Sequence, residues 1–244
     1  MSEVARTTKT LKYLLLKRFL SYPEIKRNNK GEPMTKTSKT ITKKETKSKK
    51  RTISETLVET QDAEKSGKRK IVYVMRHGKA SKEYETYTDK ERPLAKRGKK
   101  DVKMMRKCFK RMKARPTLCL VSPSARTKET FDILKDAFPD ATARYEDLLY
   151  DDRATRADLL DLLRQTPKDV DEVLVVGHLI PPLAALAASL ADASVSDDDS
   201  LKDMGKKFPT AAVAVLELPE NTDFADLADG SCRLTRFIRP KDLK

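Results

Sequence analysis

The 244-residue chain contains only two histidines, and both occupy the same kind of position. His77 follows an apolar run in IVYVMRHG, and His178 follows a second apolar run in VLVVGH, so each histidine lies beside a glycine. Arg76 precedes the first histidine, and Arg126 follows a third apolar run, TLCLV. Guanidinium groups are permanently charged forks that suit oxyanions, and a neutral imidazole can act as a nucleophile. Together these side chains could bind and transfer a phosphoryl group.

The elements that must position these residues are short β-like runs alternating with helical patterns beyond residue 70. The first run, KIVYVM, is apolar on both faces, as in a strand that is covered on both sides. A helix from about 95 to 113 places Val102, Met105 and Phe109 at core-facing spacing. This alternation predicts an α/β fold, a three-layer α/β/α sandwich with a mostly parallel central sheet. The other predicted strands are TLCLVS, residues 143–148, DEVLVVG, AAVAVLEL and CRLTRFI, and the last of these is expected at an edge of the sheet. The other predicted helices are SARTKETFDILKDAF, TRADLLDLLRQT and PPLAALAASLA. Ser124 is expected to cap the first of these helices, and the last has proline in its first turn.

The predicted sheet brings the candidate residues together. In an open α/β sheet the ligand crevice lies beyond the carboxyl ends of the strands. Arg76 and His77 follow the first strand, Arg126 follows the second, and His178 follows the fourth. We therefore expect these four side chains to converge at one edge of the sheet, although an arginine at a strand end is often only a surface ion-pair partner.

Three motifs of this chain resemble those of the histidine phosphatase superfamily. They are RHG at the end of the first strand, VSPSARTKET after the second, and VGH after a late strand. Within that superfamily, DKERPLAKRGKKD and KFPTAAVAVLEL resemble the small phosphohistidine phosphatases of the SixA type. The likeness extends over about residues 70–218 and is specific as a set, since a lone RHG recurs by chance.

The resemblance implies a role for each of the four converging residues. His77 would attack phosphorus and become transiently phosphorylated, while Arg76, Arg126 and His178 would hold the phosphoryl oxygens. Such a reaction depends mainly on positioning and on electrostatic stabilisation of spreading negative charge. Neighbouring positive charge would also lower the pKa of the nucleophilic histidine and keep its lone pair free.

Three further residues are candidates for contact with the substrate. Gly78 would let the backbone come close to the phosphate and to the imidazole. Arg92 is a second candidate substrate contact, or else simply the residue that enters a helix before Pro93. The resemblance also implies a proton donor after the third strand, where YEDLLYDD offers Glu146 as the candidate and Asp147 as the alternative. The later Asp151 and Asp152 are more typical of a solvated loop.

The nature of the leaving group determines whether a proton donor is needed. A poor alkoxide leaving group needs an acid, whereas a phosphohistidine N–P bond releases an imidazole that leaves with little help. The resemblance implies a phosphatase that acts through a phosphohistidine enzyme intermediate, and the lack of a well-defined acid favours protein phosphohistidine as its substrate. Two alternatives remain: a phosphomonoesterase of small phosphorylated metabolites or nucleotides, and a noncatalytic phosphate-binding module with a polyanion-binding tail.

The positive charge of the chain is concentrated at its N-terminus. Residues 1–70 carry 20 Lys and Arg against 8 Asp and Glu, a net charge of +12, so the remaining residues account for only +3 of the total +15. Residues 1–66 are rich in Lys, Thr, Ser and Glu, which predicts a disordered basic extension before a phosphatase domain over 67–244. Such a block could contact a polyanion weakly, yet most such blocks are solvated tails.

The remaining composition predicts neither a cofactor nor a required metal. Two distant histidines fall short of a transition-metal ligand set, and the SDDDS run at 196–200 is interpreted as a solvent-facing loop rather than a cation site. Three scattered cysteines indicate a reducing compartment rather than a disulfide framework. No stretch is apolar enough for a transmembrane segment, so we expect a cytoplasmic protein, with organellar targeting by the basic N-terminal segment as the alternative.

Overall fold

The computed structural model describes residues 69–83, 85–179 and 182–244. The predicted extension at 1–66 lies outside the described residues, so its disorder and its polyanion contact stay predictions. Within the described ranges, no helix is long and apolar enough to cross a membrane.

A six-stranded mixed sheet forms the centre of the fold, in the order β3-β2-β4-β1-β5-β6. Neighbours among β3, β2, β4 and β1 are parallel, and β5 is antiparallel to both β1 and β6, so only β5 runs against the others. This confirms the mostly parallel sheet and places the last strand at an edge, as predicted. The strands are β1 (Ile71–Arg76), β2 (Leu118–Val121), β3 (Thr142–Tyr145), β4 (Glu172–Gly177), β5 (Val213–Glu217) and β6 (Arg233–Ile238).

Helices cover both faces of the sheet and complete the three layers. They are α1 (Lys96–Arg111), α2 (Ala125–Leu134), α3 (Arg156–Arg164), α4 (Leu183–Leu190) and α5 (Asp198–Lys206). The side chains of β1 alternate between two cores: Tyr73 and Met75 belong to the core that contains Phe109 of α1, whereas Val72 and Val74 belong to the core beneath α3, α4 and α5. The β-branched and apolar composition of β1 therefore reflects a strand that is buried on both faces.

The long helix α1 is held by the apolar stripe that the sequence predicted. Val102, Met105 and Phe109 are fully buried, and burial of each such side chain stabilises the fold by about 1.5–3 kcal/mol. Short 3₁₀ turns follow α2 and β3, at Lys135–Ala137 and Asp147–Leu149.

Two local predictions need correction. The SDDDS run is not a loop, because Asp197 is the N-cap of α5, its side chain accepts a hydrogen bond from the amide of Ser200, and Asp198 begins the helix. Acidic side chains in a first helical turn interact favourably with the helix dipole, which explains their clustering. The predicted first-turn proline is Pro182 at the N-cap position of α4.

Candidate active site

The register of the sheet brings the ends of three strands to the same level. Arg76 of β1 lies opposite Gly177 of β4, and Val121 of β2 lies opposite Val176. The next residues continue the pairing, since the amide of His77 donates to the carbonyl of Gly177 at 3.0 Å. The residues that follow β1, β2 and β4 therefore meet at one edge of the sheet.

His77 is buried in a form suited to nucleophilic attack. Its Nδ1 lies 2.6 Å from the carbonyl oxygen of Gly78. A carbonyl oxygen only accepts hydrogen bonds, so Nδ1 carries the proton and Nε2 keeps its lone pair. Burial lowers the pKa of His77 to about 3, and the positive charges of Arg126 and Arg76 act in the same direction, although the bond to Gly78 opposes them. The imidazole is therefore neutral at physiological pH.

His178 lies beside His77, and the two ring centroids are 4.9 Å apart. Its Nε2 is 2.8 Å from the hydroxyl oxygen of Ser122 and 3.4 Å from that of Ser124. Burial lowers the pKa of His178 to about 2, with further lowering from His77 and Arg126. A hydroxyl that donates to Nε2 leaves the ring proton on Nδ1, where it can donate to an anion.

Ser124 occupies the N-cap position of α2 as predicted, but its side chain makes no capping bond. Its hydroxyl instead lies 2.7 Å from Thr127 Oγ1, and Thr127 donates to the carbonyl oxygens of Ser122 and Ser124. The hydroxyls at the start of α2 therefore fix the turn that carries Arg126 and supports His178.

Arg126 is a buried cation held by an acid that sequence reasoning missed. Its Nη2 donates to Asp89 Oδ2 at 2.9 Å, and its Nη1 donates to the Asp89 carbonyl. Arg92 donates to Oδ1 of the same carboxylate, and the Tyr150 hydroxyl donates to Oδ2 at 3.1 Å. Burial of Asp89 opposes ionisation, but the bonds from Arg92, Arg126 and Tyr150 outweigh it and lower the pKa to about 2. Asp89 is therefore a carboxylate that joins two guanidinium groups.

Arg76 and the loop after β1 are anchored from the segment before β5. Arg76 Nη1 donates to the carbonyl of Phe208 at 3.0 Å. The amide of Ala211 donates to the carbonyl oxygens of Arg76 and His77, and Ala211 adopts a positive φ of 61° to do so. The chain before β5 thus fixes the backbone of both functional residues.

Gly78 occupies a position with no room for a side chain. A Cβ there would lie 2.7 Å from Val102 Cγ2 and 3.2 Å from the carbonyl of Gly98, both in α1. Its amide donates to Thr130 Oγ1 at 3.0 Å, and the Thr130 hydroxyl donates to the carbonyl of Arg126. The glycine therefore allows α1 to approach the loop, and Thr130 connects that loop to the arginine on α2.

Arg92 and Glu146 are the two remaining predicted site residues, and only Arg92 is bonded to the cluster of side chains around His77, His178 and Arg126. Arg92 joins it through Asp89, and its Nη1 also donates to the carbonyl of Ser81 at 3.1 Å. Glu146 lies at the end of β3, where its amide donates to Val121 and its carboxylate accepts from Arg144 on the same strand. The structure thus places Arg92 within the cluster and pairs Glu146 with the edge strand.

Sequence reasoning also missed Tyr150 and Ser122. The Tyr150 ring packs edge-on against that of His178, with centroids 5.6 Å apart. Ser122 directly follows β2, so the strand-end rule that selected Arg126 could have selected it as well. Asp89 has no comparable signal, because its partner Arg126 lies 37 residues further along the chain.

The assembled site can hold a tetrahedral oxyanion against a nucleophile. Guanidinium groups provide permanent positive charge, and the Nε2 lone pair of His77 is free to attack. Across the described ranges, no three His, Cys, Asp or Glu residues are grouped as metal ligands.

Comparison with known proteins agrees with this arrangement. The histidine phosphatase superfamily (branch 1) matches residues 72–151, a range that includes His77 and Arg126. An uncharacterized protein of Mycobacterium tuberculosis is 30% identical over 167 residues, which are 68% of this chain and all of that protein.

Two solved structures share the fold. A candidate phosphohistidine phosphatase SixA from Nakamurella multipartitia is 26% identical, with a TM-score of 0.59 over 70% of this chain and 96% of that one. The protein histidine phosphatase SixA complexed with tungstate is also 26% identical, with a TM-score of 0.53 over 71% of this chain and 99% of that one. By sequence and by structure, the chain belongs to the histidine phosphatase superfamily.

Proposed function

We propose that this protein is a phosphatase that removes phosphoryl groups from protein phosphohistidine through a phosphohistidine intermediate on His77, with no required metal. The observation that carries the proposal is the bond between His77 Nδ1 and the Gly78 carbonyl, which leaves Nε2 unprotonated beside Arg126 and Arg76. A nucleophile prepared in this way is needed for transfer, whereas an anion-binding module needs only the arginines.

The reaction has two displacements. His77 Nε2 attacks phosphorus, a new N–P bond forms, and the N–P bond to the substrate histidine breaks. The substrate ring carries a proton on its other nitrogen, so it departs as neutral imidazole. Water then attacks the phosphoryl group on His77, releases inorganic phosphate and returns the free imidazole. Arg76, Arg126 and His178 stabilise the equatorial oxygens in both steps.

The state of the two carboxylates, Asp89 and Glu146, favours a substrate whose leaving group needs no proton donor. Asp89 is held as an anion by Arg92 and Arg126, so it cannot donate a proton near neutral pH. Glu146 is paired with Arg144. An alkoxide would need a proton from such a group, whereas an imidazole does not. The SixA identities of the solved structures described above favour the same substrate class.

Phosphoryl labelling tests the proposal. The full-length protein, with EDTA present, is mixed with a phosphohistidine peptide, quenched in base and mapped by mass spectrometry. We expect acid-labile phosphate on His77 and release of inorganic phosphate, both abolished in His77→Ala. Phosphate release that is equal in His77→Ala and wild type would refute the mechanism.

The substrate is tested separately with sugar phosphates and with Glu146→Gln. We expect this substitution to leave turnover of the phosphohistidine peptide unchanged within about twofold, because no proton donor is needed. Faster turnover of sugar phosphates, reduced by Glu146→Gln, would establish a phosphomonoesterase instead.

A further inference from the structure

The exposed face of α1 carries a row of five lysines that the active site does not use. Lys96, Lys100, Lys103, Lys107 and Lys110 are all exposed, and they follow one another at intervals of four, three, four and three residues. These intervals place the five side chains on one side of a helix. With a rise of 1.5 Å per residue, this lysine stripe extends for about 21 Å.

The stripe is costly to the helix that carries it. Like charges three or four residues apart destabilise a helix, and Lys96 lies in the first turn, where the helix dipole is unfavourable for cations. That turn contains no acidic residue, and the N-cap Ala95 makes no side-chain capping bond. A helix that keeps such unfavourable charges, with no acidic residue to offset them, is typical of a functional surface.

Acids within the described chain do not neutralise the stripe. The acids that form ion pairs with α1 pair with other cations: Asp101 with Arg97, Glu129 with Lys99, and Asp136 with Arg106. Across the described ranges, none of the five stripe lysines takes part in an ion pair. The charge of the stripe is therefore available to another molecule.

The N-terminus of the helix that carries the stripe adjoins the active-site loop. The amide of Ala95, which directly precedes Lys96, donates to the carbonyl of Lys79 at 2.8 Å. A Cβ on Gly98 would lie 2.1 Å from the same carbonyl, so the first turn of α1 packs directly on the segment after His77. Gly98 lies on the buried face of α1, opposite the lysines, so a molecule bound along the stripe would reach this loop by extending past the N-terminus of the helix.

We propose that the lysine stripe is a docking surface for an acidic protein that carries the phosphohistidine substrate. This inference rests on the proposed function and adds the class of partner. A stripe of positive charge on the helix whose N-terminus adjoins the active-site loop would orient an acidic surface and speed its association, typically by tenfold or more at low salt. Single-stranded nucleic acids are commonly bound by basic residues with exposed aromatic rings, but the one aromatic residue of α1, Phe109, is fully buried.

Two peptides and two matched triple variants of the full-length chain test the proposal. Both peptides carry one phosphohistidine, followed by glutamates in one peptide and by glutamines in the other. The stripe variant is Lys100→Gln, Lys103→Gln and Lys107→Gln. The control variant is Lys168→Gln, Lys202→Gln and Lys206→Gln, which removes the same charge before β4 and from α5.

We expect the wild type and the control to prefer the glutamate peptide by about tenfold in kcat/KM at low salt. The stripe variant should lose this preference and keep its kcat/KM on the glutamine peptide. It should also melt about 3 °C higher, because four like-charge pairs are removed. A preference that is equal in the stripe variant and the control would overturn the docking surface.

A binding measurement separates this inference from the proposed function. A labelled, unphosphorylated glutamate peptide should bind His77→Ala with the same affinity as wild type and should bind the stripe variant about tenfold more weakly. If neither phosphopeptide is hydrolysed but this difference in affinity is found, the proposed substrate is wrong and the docking surface stands. Equal affinity for the stripe variant and wild type would refute the surface. Tighter binding of a 20-base-pair DNA duplex, lost in the stripe variant, would refute the assignment to a protein partner.

Discussion

Acidification should destabilise this protein through its two histidines. In the folded protein, burial lowers the pKa of His77 to about 3 and that of His178 to about 2, against an ordinary value of 6.5. Between pH 6.5 and pH 5 the histidines take up protons in the unfolded chain but not in the folded protein. Their contribution to the free energy of unfolding is therefore fully present above pH 6.5 and decreases as the pH falls. From pH 7 to pH 5 the loss is about 2 kcal/mol for each histidine and about 4 kcal/mol for both.

The measurement is urea unfolding followed by circular dichroism at pH 7, 6 and 5. Because the chain has no other histidine, the variant His77→Gln and His178→Gln should lose almost none of its free energy of unfolding over this range, and each single variant should lose about half of the wild-type amount. Most carboxyl groups titrate below this window. Burial raises the pKa of Glu172, but this residue is present in the wild type and in every variant, so the difference between them isolates the imidazoles. A wild-type loss below about 1 kcal/mol, or an equal loss in the double variant, would show that the histidines are not held neutral.

Three substitutions test how the site is positioned. Gly78→Ala places a methyl group 2.7 Å from Val102 Cγ2, so urea unfolding should show a loss of about 1–3 kcal/mol. An unchanged midpoint would contradict this close packing. Ser122→Ala removes the hydroxyl 2.8 Å from His178 Nε2, and a bond worth about 1 kcal/mol predicts a fivefold lower kcat/KM on the phosphohistidine peptide. Asp89→Asn removes the charge that joins two arginines, and the loss of charge-assisted bonds should lower kcat/KM about tenfold. A rise in kcat/KM would mean that Asp89 only repels the phosphate.

Much of the fold follows from patterns of residue type that are local in the sequence. The β1 run is apolar at every position, which requires cover on both faces, and the spacing of Val102, Met105 and Phe109 identified the buried face of α1. The helix α5 was missed because it has nine residues and buries only Leu201, Met204 and Gly205. So few apolar positions give no clear helical period, and the acids before them resemble a loop.

The convergence of His77, Arg126 and His178 could be predicted because it depends on strand ends alone. Parallel strands in register deliver their following residues to one edge, and no side-chain contact has to be known in advance. The role of Ser124 could not be predicted in this way. A serine at this position normally caps its helix, but its hydroxyl faces Thr127 and His178, so tertiary contacts override the local preference.

Asp89 is a residue whose place in the site could not be predicted from the sequence, although its charge affects the chemistry of the site. Its hydrogen-bond partners Arg126 and Tyr150 lie 37 and 61 residues further along the chain, so only the folded protein shows that it belongs to the site. Arg76, Arg92 and Arg126 provide three positive charges, and the ionised Asp89 offsets one of them. In the proposed reaction, the two remaining charges would match those of a phosphoryl dianion. Asp89 therefore joins Arg92 to Arg126 and also limits the combined charge of the three arginines.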